Sequence, residues 1–133
     1  MNILFFLTPK KDVAYVEASD SLRQVLEKME RRQFSTIPII DEQTGTYLGT
    51  LCEGDLLWEI KRYSNLNLRA AEDRPLMAIR RRRDYAPVRV DARIEDLFSY
   101  AINQNFVPVV DDGGAFIGIV TRSDLMKYLL KKE

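Results

Sequence analysis

The sequence contains no histidine. That absence removes the commonest general base near neutral pH and the commonest metal ligand. A single cysteine, Cys52, rules out an internal disulfide and suits a reducing compartment. Neither sign of charge prevails, because 20 Lys plus Arg balance 20 Asp plus Glu. Residues 1–68 hold 8 basic and 10 acidic side chains and residues 69–133 hold 12 and 10. Bulk charge therefore gives neither half a polyanion-binding surface. Long apolar runs are missing too. The run Ile3 to Leu7 has no basic residue before it and is too short for a signal-peptide core or a membrane span. The expectation is a soluble, cytoplasmic protein with no membrane partner. No nucleophile stands with a base or a paired acid, so the chain reads as a non-enzyme without catalytic cofactor or metal.

What is present is ordinary for a folded domain: 133 residues, 46% apolar and 30% charged. A chain of that length buries roughly 68% of its unfolded surface and needs no staples. An internal repeat organises it. Residues 13–29, VAYVEASDSLRQVLEKM, align with 85–101, YAPVRVDARIEDLFSYA, at a shift of 72. IPIID (37–41) then aligns with VPVVD (107–111) at 70, and YLGTLCEGDLL (47–57) with FIGIVTRSDLM (116–126) at 69. The order of segments is kept while the shift shrinks.

Each half predicts the same elements. A strand over 13–17 or 86–90 leads to a polar cap, Ser19 or Asp91, and a helix. That helix buries Leu22, Val25, Leu26 and Met29, or Ile94, Leu97, Phe98 and Ala101. Strands follow over 37–40 and 46–51, and over 107–110 and 115–120, joined by the turns DEQTG and DDGG. A last helix begins near Asp55 or Asp124. The fold class is α+β: two pseudo-symmetric β-α-β-β-α repeats, expected to pack sheet to sheet, over residues 1–68 and 69–133. In the connector 61–84, Pro75 suits the first turn of a short helix through Ile79. By position in the repeat, NILFFLTP is expected to do for the first half what the connector does for the second.

The segment GIVTRSDL (118–125) ends a strand and opens a helix. Free backbone N–H groups and the helix dipole favour an anion such as phosphate there. Thr121 adds a hydroxyl, and Asp124 is a carboxylate suited to the vicinal hydroxyls of a ribose. With the doubled segments in register, the chain resembles a tandem pair of cystathionine-β-synthase (CBS) domains, a Bateman module, over about residues 8–131. The resemblance implies two clefts between the repeats, each taking ribose and phosphate on one repeat and adenine on the other. The better site then uses Thr121, Arg122 and Asp124. Ala14, Tyr15 and Ser35 offer groups to the base, with Phe34 and Ile37 as apolar walls.

The second site departs from the pattern. GTLCEGDL (49–56) keeps Asp55 but has Cys52 in place of the hydroxyl and Glu53 beside it, a weak donor and a repelling charge. Its base side would be Ala86, Pro87, Asn105, Phe106 and Val107, and Arg82 and Arg83 of the run Arg80–Arg83 would clamp phosphate. This site is expected to be weaker or tuned to another ligand. Each feature also has a plain structural reading. Asp55 and Asp124 suit helix N-caps, Phe34 and Phe106 the core, Arg80–Arg83 a solvated stretch, and Trp58 and Tyr63 packing or a dimer surface.

The function expected is a regulatory, energy-sensing module binding an adenine nucleotide: AMP, ADP, ATP, an S-adenosyl compound or a cyclic dinucleotide. Occupancy would pass to a separate effector protein. The resemblance also implies a homodimer through the apolar helix stretches 56–60 and 125–130. The rivals are a docking subunit with degenerate sites and, more weakly, a nucleic-acid binder through Arg80–Arg83.

Overall fold

The computed structural model describes residues 2–32 and 34–131. In chain order its elements are β1 (Thr8–Pro9), β2 (Val16–Glu17), α1 (Leu22–Arg32), β3 (Thr36–Ile40), β4 (Tyr47–Cys52), α2 (Glu53–Ser64) and α3 (Leu68–Ala71). There follow β5 (Val88–Arg89), α4 (Ile94–Ala101), β6 (Phe106–Val110), β7 (Phe116–Thr121) and α5 (Arg122–Lys131). The chain is α+β with two small sheets, of order β2-β3-β4 and β1-β7-β6-β5. Among the described residues no helix is long and apolar enough to cross a membrane.

Both sheets are built alike. β2 lies parallel to β3 with Val16 opposite Ile39, and β5 lies parallel to β6 with Val88 opposite Val109. β3–β4 and β6–β7 are antiparallel hairpins. Their turns are shaped by one aspartate each: Asp41 Oδ1 accepts the N–H groups of Gln43 and Thr44, and Asp111 Oδ1 those of Gly113 and Ala115. The first turn closes from Asp41 N–H to Thr46 and the second from Asp111 N–H to Ala115, one residue shorter. That accounts for the last step of the repeat shift. The earlier step falls where α1, with 11 residues, is replaced by α4, with 8.

The first strands are shorter than the sequence pattern predicts, and the helix caps lie closer to the helices. Ser21, not Ser19, opens α1: its Oγ accepts the Gln24 N–H and Gln24 Oε1 accepts the Ser21 N–H, a reciprocal pair. Asp20 holds the preceding turn through the Glu17 N–H and Lys28. At α4 the N–H of Arg93, not a group of Asp91, is held by Asp96. In the second half, Pro87 has no N–H to extend a ladder.

Two compact units form, one of residues 14–84 and one joining the N-terminal segment through Val13 to the chain from Tyr85 onward. The leading segments are thus exchanged relative to the expectation from repeat position. Connector residues Ala71, Leu76 and Ile79 complete the core of Val16, Leu22, Val25, Ile37, Leu51 and Leu56. Ile3 completes the core of Val88, Leu97, Val107, Val109, Val120 and Leu125. Fully burying a Val, Leu or Ile side chain among them contributes about 1.5–3 kcal/mol. The connector is pinned further by an ion pair of Arg74 with Glu59 of α2, whose carboxylate is 1% exposed, and by stacking of Arg74 over Tyr63 at 4.0 Å. Pro75 precedes a 3-10 turn, Leu76–Ala78, where a short helix through Ile79 was expected.

The exchange explains the glycine in the second strand of each hairpin. β1 pairs with β7, Pro9 opposite Gly118, and a Cβ on Gly118 would overlap the Thr8 carbonyl oxygen. The counterpart, Gly49, faces the Asp84 carboxylate, which accepts the Thr50 N–H at 3.0 Å. Both glycines have positive φ, 155° and 149°. Gly118→Ala is therefore expected to cost about 2–4 kcal/mol, from strain plus overlap with rigid backbone. Gly114→Ala, at φ 88° with open space around it, should cost about 1–2 kcal/mol. Urea unfolding of the two variants measures the difference, and equal losses would contradict the close approach of β1.

Candidate functional site

Each repeat runs from its second hairpin strand straight into a helix, and the two junctions begin alike. The first helical N–H is taken by the residue before the hairpin's first strand: Glu53 N–H by the Ser35 carbonyl and Arg122 N–H by the Asn105 carbonyl, each at 2.9 Å. They differ in how the next donors are met. In the second repeat Thr121 Oγ1 accepts the Asp124 N–H at 3.1 Å. The hydroxyl therefore caps α5, and the half-buried Asp124 carboxylate has no hydrogen bond or ion pair among the described residues. In the first repeat Cys52 replaces that hydroxyl: its side chain meets the Asp55 N–H while the Asp55 carboxylate reaches back, a capping box. Asp55 Oδ2 accepts the Cys52 N–H at 3.0 Å and Oδ1 the Arg82 N–H at 3.1 Å, with the residue 2% exposed. Neither aspartate is itself the N-cap residue; each is the third residue of its helix.

Arg122, expected at a phosphate, directs Nε to the Ala101 carbonyl at 2.8 Å and Nη2 to that of Ile102 at 3.5 Å. It closes the C-terminal end of α4, where carbonyls lack helical partners. Its first-repeat counterpart is Glu53, which cannot donate.

The base-side residues differ between repeats as well. Buried Gln104 brackets Ala86: Oε1 accepts the Ala86 N–H at 2.8 Å, and Nε2 donates to the carbonyls of Ala86 and Phe106 at 3.2 and 3.3 Å. The backbone edge expected to read a base in the second site is thus already occupied. Asn105 N–H goes to the Tyr85 hydroxyl, Phe106 packs edge-on against Tyr85, and Val107 is in the core. Pro87 is exposed. At the first-repeat position matching Gln104 stands Phe34, 47% exposed, which has no amide to bracket Ala14. The register of β2 on β3 carries Ala14 and Tyr15, both half-buried, toward the start of β3, where exposed Ser35 precedes it. Ile37 is fully buried in the core of residues 14–84, so it is a core residue and not the apolar wall expected.

Cys52, Asp55, Arg82 and Arg83 do come together. Arg83 carbonyl accepts the Thr50 hydroxyl, and Arg81 pairs with Asp84 at 2.9 Å. Trp58, expected in packing or at a dimer surface, has the cations of Lys61 and Arg82 at 5.1 and 5.5 Å from its ring centre. Gln104 and Asp84 are the structural determinants that pattern reading missed. The only trace of Asp84 in the sequence was a glycine opposite it in the fold.

Comparison with known proteins places this geometry. The CBS domain profile matches residues 6–62 and 78–131. No match was found among curated protein sequences. Among solved structures, a hypothetical conserved protein of Geobacillus kaustophilus superposes with a TM-score of 0.89 at 25% identity, over 100% of this chain and 98% of that one. The Listeria monocytogenes CbpB protein in complex with c-di-AMP gives 0.86 at 21% identity, over 98% and 96%. CBSX2 in complex with AMP gives 0.75 at 23%, over 98% and 96%. With the profile matched twice and in register with the sequence repeat, the chain belongs to the CBS domain family, as a tandem pair.

Proposed function

We propose that this chain is a regulatory module that binds an adenine nucleotide through the Thr121–Asp124 junction. The observation that carries the reading is the Asp124 carboxylate, half-buried beside a hydroxyl-capped helix N-terminus and without a partner among the described residues. A carboxylate so placed accepts two hydrogen bonds from a ribose diol, and the positive end of α5 favours phosphate. The c-di-AMP bound to the Listeria protein and the AMP bound to CBSX2 support adenine as the base. Binding alters the population of conformers, and a separate effector protein reads the change. The first-repeat junction is a structural element in this reading, since Asp55 and the Ala86 backbone are both already bonded. Those same closures favour the second reading, a docking subunit that needs no ligand.

A thermal-shift screen against AMP, ADP, ATP, S-adenosylmethionine and c-di-AMP separates the two. A ligand at a hundred times its Kd adds about 2.7 kcal/mol of stability. Stabilisation by an adenine compound and not by its guanine analogue is expected; no shift with any, in protein freed of nucleotide, favours the docking subunit. Asp124→Asn should weaken that ligand by about 1–3 kcal/mol with little change in unliganded stability. Asp55→Ala should do the reverse, losing about 1–3 kcal/mol of stability through two stranded N–H groups.

The proposal includes a homodimer. Leu57 on α2 and Met126, Leu129 and Leu130 on α5 are 49–79% exposed, and a second copy would cover them. Sedimentation should give twice the 15.5 kDa chain mass, falling to one chain mass in Met126→Glu/Leu130→Glu. A monomeric parent protein would remove this part of the reading.

A further inference from the structure

The start of α1 takes two of its caps from the connector. Leu22 N–H donates to the Arg74 carbonyl and Arg23 N–H to that of Glu72, each at 2.9 Å. In return, Leu76 N–H donates to the Asp20 carbonyl at 2.8 Å. The two segments meet at one isolated antiparallel bridge, Ser21 to Pro75. On its other side the connector is held by charge. Arg74 pairs with Glu59 of α2, and its guanidinium stacks on Tyr63, one turn further along that helix. Glu59 is 1% exposed, yet only one of its oxygens is met: Oε1 has no hydrogen-bond partner among the described residues. Buried Leu76 and Ile79 draw this stretch onto the core. The unmet oxygen opposes them, because it regains hydrogen bonds when water reaches it.

We propose that residues 72–79 form a strap that opens as a unit while the sheet β2-β3-β4 stays folded, with the Glu59–Arg74 pair as its latch. Opening uncaps α1 at Leu22 and Arg23, hydrates Glu59 and lifts Leu76 and Ile79 from the core. Only the use of the strap rests on the regulatory reading, in which it is the two-state element whose populations shift. Its opening does not.

Native-state hydrogen exchange of the unliganded, isotope-labelled protein tests the strap, so the outcome is independent of whether a nucleotide binds. The amides of Leu22, Arg23 and Leu76 are expected to share one opening constant, at least tenfold larger than that of the β3–β4 ladder amides. In Arg74→Leu, which leaves Glu59 buried without its cation, that constant should rise tenfold or more while the ladder amides keep theirs. Glu59→Leu/Arg74→Leu removes the buried charge together with its partner and should lower the constant again by at least tenfold. The proposal is overturned if the three amides exchange with the ladder or at unrelated rates. It is overturned equally if Arg74→Leu leaves them unchanged or speeds the ladder as much, or if the double variant opens as readily as Arg74→Leu.

Discussion

A helix that starts where a strand ends leaves backbone N–H groups that something must accept. In this protein that requirement is met in two ways, and the difference separates the two repeats. Where residue 121 is threonine, its hydroxyl takes the aspartate's N–H and the aspartate keeps its carboxylate. Where residue 52 is cysteine, its sulfur is a weaker acceptor for the same N–H, and the aspartate turns back onto the Cys52 N–H while also holding the connector at Arg82. The aspartate carboxylate is thus held by the fold in the first repeat and is without a partner among the described residues in the second.

The connector shows why the second arrangement is stable. It contributes Leu76 and Ile79 to the core, Arg74 to buried Glu59, Asp84 to the Thr50 N–H and the Arg82 backbone to Asp55. An aspartate bonded at both oxygens in that set is hard to recruit for a ribose, because removing either bond strands a donor. Gln104 does the same on the base side, satisfying both backbone groups of Ala86. In the second repeat the corresponding duties fall elsewhere. Ile3 fills the core, β1 covers Gly118, and Arg122 closes α4.

The repeat, the hairpins and the helix faces were legible in the sequence because each is periodic: Leu22, Val25 and Met29 are buried as their spacing requires, and the hairpin strands lie within one or two residues of their expected spans. The caps were misplaced by two residues because Ser19, Ser21, Asp20 and Asp91 all offer capping oxygens, and only the backbone path selects among them. The assignment of leading segments to cores was not legible, since NILFFLTP and the connector share no pattern with one another. In the candidate site, Thr121 and Asp124 were readable as a pair, as was the Cys52 that stands where the other junction would carry a hydroxyl. Ile37 was misread as a wall because a β-branched residue before a proline looks the same facing a cleft or a core. Gln104 and the cation of Arg82 over Trp58 depend on long-range approach, which no local spacing encodes.

The central claim is that the hydroxyl-capped junction takes the ligand and the carboxylate-capped junction does not. Amide chemical shifts of isotope-labelled protein titrated with AMP, and separately with c-di-AMP, test it residue by residue. The account predicts that the largest changes fall on the amides of Thr121 through Asp124, while those of Cys52 and Arg82, held by Asp55, stay in place. Changes centred on Cys52 through Asp55, with Thr121 through Asp124 unmoved, would contradict it.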